Sequence, residues 1–335
     1  MVTGGLGYIG SHTTVALINA GYEVVIVDNL SNSQIEVLDR IEKITNVRPD
    51  CHILDLCDLD KTKELFGKNK IDSIIHFAAH KAPGESVYEP LKYYRNNLLS
   101  LMNILLAASE SKVHNLVHSS SCTVYGQPDK LPVSEDTPIK KAESPYGNTK
   151  IICEDILRDT VHANDKLKVI ALRYFNPIGA HQSSLIGELP LGTPINLVPV
   201  ITQHVAGLYK VLKVFGSDYN TPDGTPIRDY IHIEDLADAH ISAMTRMENN
   251  KNKENFEVFN VGTGQGRSVL EMIEIFERVT GEKVNYKIVE RREGDPESVY
   301  ASVDLANNEL GWKAKKSIED ALKSAWAWEK KYRKI

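Results

Sequence analysis

Short β-branched runs alternate with longer stretches whose apolar residues recur at helical spacing through the first half of the chain. The runs are VVIVD (24–28), SIIHFA (73–78), NLVHSSS (115–121) and VIALRYF (169–175). Such alternation predicts an α/β fold, a parallel sheet wound on both faces by helices. One helix is predicted from near Gly10 through HTTVALINAG, with Gly21 suited to the C′ position before the next strand. After Phe175 the pattern breaks. Pro177, Gly179, Gly187, Pro190, Gly192, Pro194 and Pro199 predict irregular loops of the kind that line a pocket. Later segments mix strand and helix: DYIHIEDLADAHISAM reads as a strand entering a helix, SVLEMIEIFERVTG as a helix, and LKSAWAWEKKYR as a terminal helix. The expected organisation is a first domain over 1–175 and a smaller mixed α/β lobe over 176–335, interleaved with it.

Composition narrows the functional classes. The 335 residues are 42% hydrophobic and 25% charged, enough apolar material for a sizeable core. The net charge is -6, with Lys and Arg scattered among Asp and Glu, so no nucleic-acid partner is expected. Cys51, Cys57, Cys122 and Cys153 lack metal-ligand spacing and read as free thiols in a reducing compartment. No metal is expected. The apolar runs are strand-length and no charged leader precedes one, so the expected location is the cytoplasm, with no membrane partner.

The segment TGGLGYIG spaces Gly4, Gly7 and Gly10 as GxxGxxG between a strand and a helix. Glycines there allow a tight turn and let backbone N–H groups and a helix N-terminus approach a pyrophosphate. Gly-rich turns also occur without ligands. Asp28, eighteen positions after Gly10, closes the second strand, where a carboxylate accepts from ribose hydroxyls and repels a 2′-phosphate. This favours NAD over NADP in a Rossmann domain; a plain strand-end cap is the alternative. Asp55 is placed either to meet the adenine or to cap a turn.

Tyr146 and Lys150 in SPYGNTK stand four apart, on one face of a helix, with the serine run ending at Ser121 upstream. A lysine ammonium near a phenol favours the phenolate, lowering its pKa and making Tyr146 a base for a hydroxyl group. Ser121 can bond the same hydroxyl and relay its proton, or act only as a cap.

These segments, together with DNLSNS, HFAAHKAPGES, Asn96–Asn97, SSSCTVYG, RYFNPIGAH, DGTPIRDYIH and RREGD, run in order over nearly the whole chain. In them the sequence resembles the extended short-chain dehydrogenases, and within that family the branch that epimerises UDP-glucose at C4. The resemblance implies NAD contacts at Tyr8, Ile9, Asp28, Asn29, Asn32, Ser33, Asp55, Leu56, Phe77, Ala78, Lys81, Asn96, Tyr146, Lys150 and Phe175. It implies UDP-sugar contacts at Ser121, Tyr146, Asn176, Asn196, Leu197, Phe215, Arg228, Arg292 and Asp295. Arg228 and Arg292 are forked cations suited to a diphosphate, and a solvated ion pair is the alternative for each.

The implied reaction interconverts UDP-galactose and UDP-glucose. Tyr146 takes the C4 proton directly or through Ser121, C4 is oxidised by bound NAD, and the 4-keto sugar is reduced again on its other face. A homodimer through the helix bearing Tyr146 and the helix following Asn96 is also implied.

Some positions depart from the family pattern. Only three residues precede Gly4, which implies a short first strand and puts stability and cofactor retention in question. His80 replaces a usual apolar residue beside Lys81 and Pro83 removes a backbone donor in the next loop, both near the expected nicotinamide pocket. Cys122 stands where a small residue is usual and reads as a buried, inert thiol, with an acid or base role as the alternative. Dehydratases of the family usually carry acidic groups at the positions of Cys122 and Thr123, so dehydration is disfavoured. Val299, beside the expected sugar ring, leaves room for an N-acetyl group. Other UDP-sugars, pentoses or N-acetylhexosamines, remain open as substrates. A non-catalytic NAD-binding or sensing protein is the alternative of a different class, opposed by the retention of both Tyr146 and Lys150.

Overall fold

The structure is a computed structural model that describes every residue except Glu293, which lies within the RREGD segment. Its strands are β1 Val2–Thr3, β2 Val25–Asp28, β3 Asp50–Ile53, β4 Ser73–His76, β5 Asn115–Ser121, β6 Lys168–Tyr174, β7 Asn176–Ile178, β8 Leu212–Phe215, β9 Ile227–His232, β10 Phe256–Val261, β11 Gly266–Ser268, β12 Tyr286–Val289 and β13 Ser298–Val299. Its helices are α1 Tyr8–Asn19, α2 Glu36–Thr45, α3 Leu59–Lys68, α4 Pro83–Tyr88, α5 Pro90–Glu110, α6 Pro145–Ala163, α7 Leu197–Val205, α8 Ile233–Glu248, α9 Val269–Thr280 and α10 Ile318–Arg333.

Seven strands form one parallel sheet in the order β10-β6-β5-β4-β1-β2-β3. The order reverses between β1 and β4, which opens a crevice at the carboxyl ends of those strands, where Rossmann folds bind ligands. Central strands are apolar on both faces because helices cover both. One face packs Val15 and Leu17 of α1, Leu38 and Ile41 of α2 and Leu236 of α8. The other packs Phe66 of α3, Leu101 and Ile104 of α5 and Leu157 of α6.

The four runs foreseen in the sequence become β2, β4, β5 and β6, each within two residues at its ends. The first helix starts at Tyr8, two residues before Gly10, and Gly21 takes the positive φ of a C′ residue. β1 has only two residues, yet both pair on either side, with β2 and with β4. The sequence pattern did not foresee that β10, from the second half of the chain, supplies the seventh strand beside β6. Pro83 is the first residue of α4, where a helix has no use for the missing N–H, so the expected loss of a donor costs nothing.

A second core gathers α7, β8, α9 and α10 around Ile201, Val214, Phe276 and Trp326. A third, small one joins the lobes: Val124, Tyr125 and Phe175 from the end of the large sheet meet Val299 and Ala301. Capping boxes at Ser268/Glu271 and Ser317/Asp320 start α9 and α10. No helix among the described residues is long and apolar enough to cross a membrane.

Several histidines are buried without charge. Nδ1 of His12 and of His240 bonds the carbonyls of Tyr8 and Leu236, and both Nε2 atoms are sealed from water. Burial holds His12 and His76 at about 3 and His232 and His240 at about 4, against 6.5 in an unfolded chain. Below 6.5 the unfolded chain therefore binds protons that the native state refuses. The urea midpoint of unfolding should fall steadily between pH 6.5 and about 4, and a midpoint unchanged across that window would contradict this account.

Candidate active site

The glycine turn lies between β1 and α1 at the mouth of the crevice. Gly4 has φ +65°, and a Cβ there would meet the Ala78 backbone nitrogen at 3.1 Å. A Cβ on Gly10 would come within 2.1 Å of the Gly4 carbonyl oxygen, so only glycine lets the helix close onto the turn. Gly7 begins α1 with no side-chain cap, and the first turn carries no acidic residue. The N–H groups of Tyr8, Ile9 and Gly10 thus have no acceptor within the helix and form an anion receptor. Tyr8 Oη donates to the Gly179 carbonyl at 2.6 Å, tying this helix end to the second lobe.

Asp28 fixes the turn from below. Its carboxylate accepts from Leu6 N at 3.0 Å, Leu30 N at 2.9 Å and Ser33 Oγ at 2.7 Å. Capping is therefore part of its work, and a carboxylate with these partners still has lone pairs for a diol. Asn29 accepts from Ser31 N, and Asn32 and Ser33 line a small cavity with Tyr8, Arg40, Gly187 and Trp328. Asp55 caps a turn by accepting from Cys57 N at 2.9 Å, and the neighbouring Leu56 is buried. Phe77 and Ala78 follow β4; the Phe77 ring lies 4.7 Å from that of His240, and Ala78 N donates to Thr3 Oγ1. Asn96, on α5, donates to Asn97, which accepts from His80 N and donates to Thr149 of α6.

The Ser–Tyr–Lys group converges at the carboxyl end of β5. Ser144 caps α6, and Tyr146 and Lys150 follow on one face of it. Lys150 is 4% exposed and donates to the Ser119 carbonyl at 2.6 Å, with its nitrogen 5.9 Å from the centre of the Tyr146 ring. Ser121 caps the short turn Cys122–Tyr125 through Thr123 N at 3.2 Å, and its hydroxyl lies close enough to the Tyr146 phenol to favour the phenolate. Burial pushes Tyr146 up to about 12, and the nearby Ser121 hydroxyl only partly offsets it. The expected lowering of the phenol by Lys150 is opposed by this burial, and the ammonium's own bond goes to Ser119. Burial likewise raises Cys122 to about 12, a protonated thiol at neutral pH.

On the other side of the crevice, Arg228 on β9 pairs with Asp295 and donates to the Pro296 carbonyl at 2.6 Å. The Arg292 guanidinium stacks 4.6 Å from the centre of the Phe215 ring. Arg292 and Asp295 line a cleft of about 400 Å³ with Gln127, Glu143, Tyr219 and Arg291. Asn176 lies in β7 and Phe175, buried, just before it. Asn196 and Leu197 open α7. Val299 is 4% exposed and packs with Phe175 and, through the same cluster, Cys122.

Two acidic residues in the site had escaped sequence reasoning. One oxygen of Glu188 accepts from Asn196 at 2.6 Å and lies 3.6 Å from the Lys81 nitrogen, joining a residue expected at the cofactor to one expected at the substrate. It sits in the Pro- and Gly-rich stretch, where no periodicity marks it. Glu154 lies one turn beyond Lys150, and that spacing was visible. Among the described residues no cluster of His, Cys, Asp and Glu could hold a metal ion.

A phosphate-receptive turn, an acidic residue ending β2 and a Ser–Tyr–Lys group at the end of β5 define a dinucleotide-dependent enzyme of the short-chain dehydrogenase type. The family model described as GDP-mannose 4,6 dehydratase matches residues 1–325. The UDP-glucose 4-epimerase of Bacillus subtilis (strain 168) is 47% identical over 329 residues, covering 98% of this chain and 96% of that one. The UDP-glucose 4-epimerase of Yersinia enterocolitica is 46% identical over 330 residues, with 98% and 97% covered. The crystal structure of UDP-glucose-4-epimerase from Stenotrophomonas maltophila with bound NAD and formylated UDP-arabinopyranose superposes with a TM-score of 0.96 at 45% identity, covering 99% of this chain and 98% of that one. The chain belongs to the extended short-chain dehydrogenase family, and within it to the UDP-glucose 4-epimerases.

The Gly10 contact yields a direct test of the turn. Gly10→Ala forces the turn apart, and the purified variant should carry at most about a tenth of the wild-type dinucleotide, a loss of roughly 1.4 kcal/mol or more in binding. Undiminished dinucleotide content, measured after acid release, would show that the turn does not hold it.

Proposed function

We propose that this chain interconverts UDP-galactose and UDP-glucose by inverting C4 through a 4-keto sugar, with NAD as its bound cofactor. The observation that carries the reading is the convergence of Ser121, Tyr146 and Lys150 between an anion-receptive helix end and an arginine-lined cleft. The Gly10 cradle, the bare N–H groups of Tyr8, Ile9 and Gly10, and Asp28 fit a dinucleotide without a 2′-phosphate. Bound NAD supplies the reversible oxidation of C4 and, in its oxidised form, positive charge in the cleft.

The chain's own groups do the rest. Tyr146, ionised with the help of Lys150, takes the proton from the C4 hydroxyl directly or through Ser121 and returns it after inversion. Arg228 and Arg292 hold the diphosphate, with Asp295 orienting Arg228, while Asn176, Asn196, Leu197 and Phe215 line the path of the nucleotide. Holding the nucleotide tightly and the sugar loosely lets either face of the 4-keto sugar meet the cofactor. Lys81, Asn96, Phe77, Ala78, Phe175, Asn29, Asn32, Ser33, Asp55 and Leu56 complete the cofactor cleft. Cys122 and Thr123 offer no carboxylate for eliminating water, so epimerisation fits better than the dehydration in the family model's description. Cys122 stays a spectator.

The domain division follows: residues 1–175 chiefly carry NAD and 176–335 chiefly the UDP-sugar. A homodimer through α5 and α6 is supported by the exposed apolar side chains of Leu91 and Leu106 on α5, and light scattering in solution tests it. The cytoplasm suits four free cysteines, and fractionation of the native cells is the check.

Mixing the purified protein with UDP-galactose and no added NAD should yield UDP-glucose, and Tyr146→Phe should lower turnover by about a hundredfold or more. No product even with NAD supplied would defeat the reading. In parallel, UDP-N-acetylglucosamine should turn over if Val299, buried against Phe175 in the protein alone, borders the sugar as the family resemblance implies. Wild-type protein inert towards the N-acetyl sugar would refute the role given to Val299.

A further inference from the structure

Glu154 has been given no role so far, yet it continues the row begun by Tyr146 and Lys150. The three stand at four-residue intervals on α6 and so share a face. Glu154 has no exposed surface, and Lys150 and Arg173 are 4% and 3% exposed. One Glu154 oxygen accepts from Ser120 Oγ at 2.5 Å and Arg173 Nε at 2.9 Å; the other accepts from Arg173 Nη2 at 2.5 Å. Arg173 continues to Tyr125 Oη at 3.0 Å, and Tyr125 to Asn260 at 2.7 Å. Three successive β5 residues therefore reach the site in different ways: the Ser119 carbonyl holds Lys150, Ser120 holds Glu154, and Ser121 meets Tyr146.

Two cations in one dry core need an anion between them, because removing a charge from water costs several kcal/mol unless it is compensated. The titratable groups facing Lys150 are Tyr146 and Cys153 from α6, His118 from β5, His76 from β4, and Glu154. Burial holds His76 at about 3 and His118 well below its ordinary value, and raises Cys153 to about 11, so all three are neutral at pH 7. Burial likewise keeps Tyr125, beside Arg173, protonated. Glu135 hydrogen-bonds Arg173 through its backbone carbonyl, and its carboxylate, which accepts from Asn260 N, also feels the Arg173 charge. Among these groups Glu154 is the one anion facing Lys150.

We propose that Glu154 is a positioning residue whose carboxylate separates the buried cations of Lys150 and Arg173, keeping the Lys150 ammonium charged and Tyr146 usable as a base. The inference rests on the epimerase reading. With a neutral side chain at 154, Lys150 and Arg173 repel each other, the ammonium gives up its proton more readily, and the phenol loses support. The phenolate then forms only at higher pH. Ser120 carries the effect to the neighbouring Ser121 by fixing both on one strand.

The test is the pH profile of kcat for UDP-galactose turnover, with wild-type protein as the reference, so an inactive wild type defeats the epimerase reading and not this one. Glu154→Gln should move the acidic limb up by about one pH unit, a roughly tenfold loss of turnover on that limb, with KM unchanged. Glu154→Asp should restore the limb. The double variant Glu154→Gln/Arg173→Met removes both charges of the pair, a change buried ion pairs often tolerate, and should return the limb to the wild-type position. A uniform fall in kcat with an unmoved limb in Glu154→Gln, or a double variant shifted further than the single one, overturns the proposal. If Glu154→Gln does not fold, the double variant decides: a wild-type limb supports charge balance, and a limb raised by a unit refutes it.

Discussion

The arrangement that governs this molecule is a lysine ammonium held out of water beside a phenol. Lys150 makes one bond, to the Ser119 carbonyl, from a position almost sealed from solvent. That placement demands a rigid surround, and the parallel sheet supplies it. β5 is paired with β6 along its whole length and with β4 over Asn115–His118, and α6 lies against it. The carboxyl end of β5, where Ser121 emerges, is thereby fixed relative to the helix that carries Tyr146 and Lys150. The crevice between β1 and β4 opens beside that point, so cofactor cleft and proton-handling groups meet without any loop having to carry the alignment.

The two lobes divide the physical labour. The large sheet presents a bare helix end and a carboxylate, groups that recognise a dinucleotide through backbone N–H bonds and ribose hydroxyls. The smaller lobe presents guanidinium groups braced by Asp295 and by the Phe215 ring. In the proposed reading, binding free energy is thus concentrated on nucleotide and diphosphate, away from the sugar. In the same reading only a small apolar cluster around Val299 and Phe175 borders the reacting end. Such a surface limits size without fixing orientation, which inversion of one carbon requires.

Much of this was legible in the sequence because it depends on local rules. GxxGxxG before a helix, Asp28 after a β-branched run and the four-residue step from Tyr146 to Lys150 each encode a backbone shape or a shared helix face. Groups whose meaning is tertiary were not legible. β10 joins the large sheet from far along the chain, and FEVFNV carries no mark of its partner. Glu188 meets Lys81 and Asn196 only after a Pro- and Gly-rich segment folds back across the crevice. The burial of Tyr146 was not legible for a related reason: spacing shows that an ammonium is near, whereas burial, which pushes the phenol up, depends on the whole fold.

The central claim is that C4 is oxidised and reduced again inside one closed site, with Tyr146 moving only the hydroxyl proton. Turning over UDP-galactose deuterated at C4 in ordinary water, and analysing the UDP-glucose by mass spectrometry and NMR, tests it most directly. The account predicts that the deuterium remains on C4 of the product through many turnovers. Loss of the label to solvent would mean that the C4–H bond is broken by proton abstraction, and would contradict it.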